Sequence, residues 1–295
     1  MADRQDIRFA SGDDICAGWL YPSAPGGRRP VIVLAHGIGA IKEMGLNRFA
    51  HRFQQAGFNA LVFDYRHLGA STGRPRQLVD VPRQLEDWSA ALDFAETLES
   101  VDRERIAIFG TSFAGGHVIT VAAREPRRVK AVVSQCPFTS GWASSQTVSF
   151  RTLLWGTVAA IRDLVFSWGD SIVPIALAGK PDDVALMTKP DVWQGYLSLV
   201  PRDIAFSNEI AARLLLKLPL LAPGRDAKKV QAPIFFAICA GDSVAPADTS
   251  IAYAKEAPRG VVRVFEGMGH FDIYVGEAFE KAMPEYIDFF TKHLA

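Results

Sequence analysis

Cysteine is scarce in this chain, and the three present, Cys16, Cys136 and Cys239, stand singly in apolar runs, with no CxxC pair and no histidine beside them. That excludes a disulfide framework and a cysteine-built zinc site, leaving three reduced core thiols. Net charge is absent too: 32 lysines and arginines balance 32 aspartates and glutamates, so no basic surplus points to nucleic acid. No apolar run approaches the roughly 18 residues of a membrane span, and the N-terminal MADRQDIRF lacks the apolar stretch and small-residue cleavage site of a secretory signal. The expectation is a cytoplasmic protein without nucleic-acid or membrane partners. Internal repeats, low-complexity tracts and long charge runs are missing as well, which removes solenoids and disordered interaction tails.

What is present is a globular composition, 49% hydrophobic over 295 residues, enough for a full core in one domain carrying an insertion. Short β-branched runs recur at VIVLA (31–35), ALVFD (60–64), IAIFG (106–110), VKAVV (129–133) and IFFAICA (234–240). They are apolar throughout rather than alternating, as strands covered on both faces are. Helical stripes lie between them: Phe49 and Phe53 in a segment that stops at Gly57, then Leu85, Trp88, Leu92 and Ala95. This alternation predicts an α/β fold with a mostly parallel central sheet and helices on both faces. Ile7–Phe9 and Ile15–Trp19, separated by Ser-Gly-Asp-Asp, read as an added antiparallel hairpin.

The alternation breaks after Val133. From about Phe138 to Gly224 no strand is evident, and the segments 148–168, 190–199 and 207–217 read as helices. The sheet resumes at Ile234 and Val261–Phe265, and a last helix carries Phe279, Met283, Tyr286, Ile287 and Phe290 on one face. We therefore divide the chain into a core at 1–137 and 225–295 and a helical lid at 138–224, inserted after the sixth strand.

Ser112 stands in Gly-Thr-Ser-Phe-Ala (110–114), between a strand end and a helix start. A sharp strand-to-helix turn strains its central residue and crowds the positions two before and two after, which Gly110 and Ala114 suit. A helix N-cap serine is the simpler alternative, but capping does not require this cluster of small residues. A serine hydroxyl becomes a nucleophile only with a base in hydrogen-bond reach and a carboxylate behind that base. Asp242 in AGDSVAP (240–246) and His270 in GMGHFD (267–272) each follow a strand, giving the order Ser, Asp, His. A turn aspartate and a surface-loop histidine remain the alternatives for these two, and Asp272 is a poor substitute acid because it lies too near His270 in sequence. For a tetrahedral oxyanion the N–H groups of Phe113 and, in the loop after VIVLA, of Ile38 are the candidate donors. His36 is read chiefly as a brace of that loop.

These motifs, with AHGIGAIKE (35–43), FDYRHLGASTGRPRQ (63–77) and GHFDIY (269–274), make the chain resemble a serine hydrolase of the α/β-hydrolase superfamily nearly end to end. It is most similar to the capped microbial and fungal members labelled dienelactone-hydrolase-like or X-Pro-dipeptidyl-peptidase-like, a group that includes polyketide thioesterases and acyltransferases. The resemblance implies Ser112 as nucleophile, His270 as base, Asp242 as its orienting acid and a helical lid. Dienelactone hydrolases proper use cysteine, so that activity does not carry over.

The expected function is hydrolysis of an ester, lactone or thioester of a largely hydrophobic small molecule through an acyl-enzyme, with no metal and no cofactor. Substrate-contact candidates are His36, His67, Trp142, Trp155 and Trp193, the tryptophans as walls of a pocket under the lid. Carbon–carbon hydrolysis, acyl transfer, amidase or peptidase action and a ligand-binding receptor stay open, as does self-association into a homodimer.

Overall fold

The computed structural model describes residues 4–24 and 26–295; residues 1–3 of the N-terminal stretch read above lie outside them. A hairpin of β1 (Gln5–Ser11) and β2 (Asp14–Tyr21) opens the chain, followed by β3 (Arg29–Ala35), α1 (Leu46–Gln55), β4 (Asn59–Phe63), α2 (Val81–Thr97), β5 (Val101–Thr111), α3 (Phe113–Arg124) and β6 (Val129–Gln135). Next come α4 (Gly141–Ser145), α5 (Phe150–Phe166), β7 (Pro174–Ala178), β8 (Ala185–Met187), α6 (Val192–Ser198), β9 (Glu209–Ala211) and α7 (Leu214–Lys217). The chain then returns to β10 (Ile234–Cys239), α8 (Ala247–Ala254), β11 (Gly260–Phe265) and α9 (Gly276–Leu294).

The main sheet has the order β1-β2-β4-β3-β5-β6-β10-β11. Only the hairpin strands run antiparallel to their neighbours; the rest are parallel, with Val33 paired to Leu61 on one side and Ile108 on the other. The continuous apolar runs are explained by what covers them. On one face α1 and α9 bring Phe49 against Phe109, centroids 5.0 Å apart, and Phe53 against Phe290. On the other, α2 and α3 bury Trp88, whose indole N–H donates to Tyr65 Oη at 2.9 Å, beside Val118 and Ile119. Caps fix the ends: Asp80 accepts from Arg83 N at the start of α2, and Gly57 takes a φ of 91° just past α1.

Residues 138–224 differ from the all-helical reading. The segment holds a three-stranded sheet, β8-β7-β9, and the stretch expected as a helix at 207–217 contains β9 followed by only the short α7. Strands of three to five residues give too few positions for a period-two pattern to register. Among the described residues no helix is long and apolar enough to cross a membrane.

Candidate active site

Ser112 occupies the single residue between β5 and α3 with φ 59° and ψ −117°, a conformation that costs of order 1–3 kcal/mol. The turn is pinned from both sides: Ser112 N donates to Gln135 O at 2.8 Å, and Phe138 N donates to Ser112 O at 2.9 Å. Beneath it runs a buried polar chain in which Gln135 Nε2 donates to Thr111 Oγ1, Thr111 donates to Tyr274 Oη, and Tyr286 donates to Gln135 Oε1. A Cβ on Gly110 would land on the carbonyl of Ala114, and one on Gly116 on the carbonyl of Phe138. The small residues are thus dictated by the backbone approach itself.

His270 stands on the loop after β11, with Nε2 2.9 Å from Ser112 Oγ and Nδ1 2.6 Å from Asp242 Oδ2. Asp242 follows β10; its other oxygen accepts from Val244 N and Ala245 N at 2.9 and 2.7 Å, which aims the carboxylate. An ionised carboxylate only accepts, so Nδ1 carries the proton and Nε2 presents its lone pair to the serine hydroxyl. The His270 side chain is 2% exposed. Asp272, by contrast, accepts from Gly269 N at 2.7 Å and braces the loop.

Ile38 and Phe113 line the same space as Ser112. Phe113 is the first residue of α3, where an N–H has no helical acceptor. The Gly37–Ile38 peptide is held by its oxygen, 3.0 Å from His36 Nδ1 and 3.3 Å from Ala40 N; in a trans peptide that turns the Ile38 N–H to the opposite side. Tyr196, on α6, donates to the Ile38 carbonyl at 2.9 Å. Asp64 anchors the loop from below, accepting from Lys42 N and Nζ at 2.7 and 2.8 Å. Burial pushes the Asp64 carboxyl up, but His36 and Lys42 outweigh it and hold the group below the usual carboxylate range.

The space around Ser112 has two narrow lobes of about 20 and 40 Å³, room for little more than a water or two. Met44, Met187, Tyr196 and Phe271 wall one; Phe138, Leu186, Leu218 and Val244 wall the other, and neither is lined by an aspartate, glutamate, lysine or arginine among the described residues. The 138–224 segment therefore closes over the serine, and Gly195 comes so near Phe271 that a Cβ would overlap the ring. Phe271, Tyr196 and Met187 were not among the expected site residues; Phe271 stands next to His270 in the chain, while Tyr196 and Met187 carried no sequence signal.

Four of the expected substrate contacts stand away from the two lobes. His67 is 1% exposed, with Nδ1 3.0 Å from Pro75 O and Nε2 3.0 Å from Arg83, so it fastens the loop after β4. Trp142, Trp155 and Trp193 are exposed and wall neither lobe. His36 does line the cavity, with its ring committed to the Gly37 carbonyl. Cys136 Sγ lies within 4.8 Å of ligand atoms of Asp242 and His270, but contact with Cys239 and burial push its thiol well up. It is a poor thiolate donor for a metal, and the other two groups already serve each other.

His117, in α3, is buried, its Nε2 2.8 Å from Gln84 Oε1, and burial with nearby His36 pushes it down to about 3. The unfolded chain takes up a proton there near pH 6.5 while the folded one does not, so stability falls as pH drops from 6.5 toward 3. At pH 5 this amounts to about 2 kcal/mol. Urea unfolding at pH 7 and 5 is expected to show a smaller loss for His117→Gln than for the natural protein; parallel losses would refute the assignment.

A family model described as alpha/beta hydrolase fold matches residues 30–277. The chain belongs to the α/β-hydrolase family. This α/β-hydrolase is 43% identical over 288 residues to the quorum-quenching protein AidA of Acinetobacter baumannii (strain MDR-ZJ06), covering 97% of this chain and 94% of AidA. It is 28% identical to the polyketide transferase af380 of Aspergillus fumigatus, over 99% of both chains. Among solved structures, DcsB in complex with its substrate analogue superposes with a TM-score of 0.84 at 25% identity, again over 99% of both.

Proposed function

We propose that this α/β-hydrolase is a serine hydrolase that cleaves an ester, lactone or thioester of an uncharged, largely apolar small molecule through an acyl-enzyme. The observation that carries the reading is the unbroken hydrogen-bonded chain from Ser112 through His270 to Asp242. In the first step His270 Nε2 takes the hydroxyl proton as Ser112 Oγ bonds to the substrate carbonyl carbon, and Asp242 stabilises the imidazolium. The N–H groups of Ile38 and Phe113 receive the oxyanion. Collapse expels the alkoxide or thiolate, which leaves with the proton from His270; a water, deprotonated by the same nitrogen, then releases the acid and restores the serine. The apolar walls favour an uncharged acyl group. Because the lobes are too small for such a molecule, the 138–224 segment moves aside as substrate enters.

A second outcome for the same acyl-enzyme is transfer to an alcohol, favoured by the full-length likeness to a polyketide transferase. The acyl-enzyme is tested by intact-mass spectrometry of protein quenched during turnover of p-nitrophenyl esters from acetate to octanoate. The expected adduct maps to the peptide holding Ser112 and grows with the acyl chain. Turnover without any adduct on that peptide would overturn the reading.

A further inference from the structure

The helix α5 is built the opposite way round from an ordinary surface helix. Its buried residues are the small and polar ones, Thr152, Gly156, Ala160 and Asp163. Gly156 sits against Leu215, where a Cβ would come within 2.9 Å of its Cδ1, and Asp163 is bound by Arg213 at 2.7 Å. With 3.6 residues per turn, the face pointing away from the protein is then centred on Leu154, Val158, Ile161 and Val165, all exposed. A contiguous exposed apolar face of this extent marks a surface that a partner covers.

We propose that this face is the interface of a two-fold homodimer, with α5 packed antiparallel against α5 of a second copy and the axis passing near Val158. The area is sufficient. Phe150, Trp155, Phe166 and Trp168 are 78, 54, 69 and 80% exposed, which with ~150–250 Å² per aromatic side chain is on the order of 600 Å². The aliphatic stripe between them carries the face to the roughly 800 Å² per partner that a stable interface buries. A two-fold axis makes the contact self-complementary and closed. Charge fits the antiparallel sense: exposed Arg151, in the first turn, meets the last turn of the opposing helix, whose carbonyl end is negative; Asp170 beyond it faces Arg74 of its own chain at 3.9 Å. A lipid surface fits less well. Arg151 and Arg162 are the only basic residues of α5, far short of the cluster of four to eight that reads as anionic-lipid binding.

The test uses the full chain. Sedimentation equilibrium is expected to give twice the chain mass, and Leu154→Glu with Val158→Glu is expected to give a monomer with the natural circular dichroism and a Tm that no longer depends on protein concentration. At an 8–10 Å helix separation, residues on the axis face each other at disulfide distance, so Val158→Cys is expected to cross-link to itself under mild oxidation. Glu104→Cys, exposed at the start of β5, should not. The natural cysteines are all buried and do not compete. A monomer at every concentration overturns the proposal, as does a dimer that survives the double Glu substitution and fails to cross-link at 158. Monomer that floats with phosphatidylcholine/phosphatidylglycerol vesicles overturns it in favour of a lipid surface.

Discussion

Ser112→Ala is expected to lower kcat on a p-nitrophenyl ester by about 10⁶-fold, and Asp242→Ala by about 10⁴-fold, on the scale set by triad removal in a serine protease. The asymmetry follows from what each group does. Without Oγ no acyl-enzyme forms, and only the oxyanion donors and binding remain. Without the carboxylate, His270 still stands 2.9 Å from the serine, and what is lost is its fixed tautomer and the stabilisation of its charged form. Ser112→Ala removes one hydroxyl and should melt close to the natural protein, whereas Asp242→Ala leaves the Val244 and Ala245 N–H groups without their acceptor and should melt lower. Steady-state rates with active-site titration decide it: equal, mild losses at both positions would remove the triad from the mechanism.

Gly110→Ala should do more damage to the molecule than either. Its Cβ would fall on the Ala114 carbonyl, with Val118 Cγ1 only 2.8 Å away. That carbonyl is backbone in the first turn of α3 and cannot rotate aside, so the end of β5 and the start of α3 must part. A clash of this kind belongs among the substitutions that cost more than about 4 kcal/mol, or a fall of about 10 °C in Tm for a protein of this size. Displacing Ser112 by even 1 Å costs on the order of 10²-fold in rate. Calorimetry and ester hydrolysis on Gly110→Ala, with Ala114→Gly as a control that only removes a methyl, check both effects. Natural melting and activity in Gly110→Ala would mean that the turn is looser than its geometry indicates.

The elbow was readable because its constraint is local. A serine flanked at two residues by Gly110 and Ala114 reports crowding within one turn of chain, and the runs at 31–35 and 234–240 report burial on both faces. Asp242 and His270 were readable because each sits just past such a run. The 138–224 segment resisted for two reasons. Its strands are too short for periodicity, and its helical spacing says nothing about which side faces inward. Trp155 has the spacing of a pocket wall, yet the inward positions of α5 went to Thr152, Gly156, Ala160 and Asp163. Tyr196 reaches Ile38 across 158 residues, a distance over which composition and spacing are silent. His67 misled because a histidine after a strand suggests chemistry; the two hydrogen bonds that occupy its ring come from residues 8 and 16 positions further on.

The order of strands in the main sheet bears on synthesis as well as on chemistry. Strand β6 stays an open edge until β10 docks beside it, roughly a hundred residues later, and β11 needs β10 first. On a ribosome adding about 5–20 residues per second, the chain carries Ser112 for many seconds before His270 has been made. The hydroxyl acquires its hydrogen-bonded company only once His270 has been made, and the nascent protein passes through its most aggregation-prone stage, with one β edge bare, chemically silent.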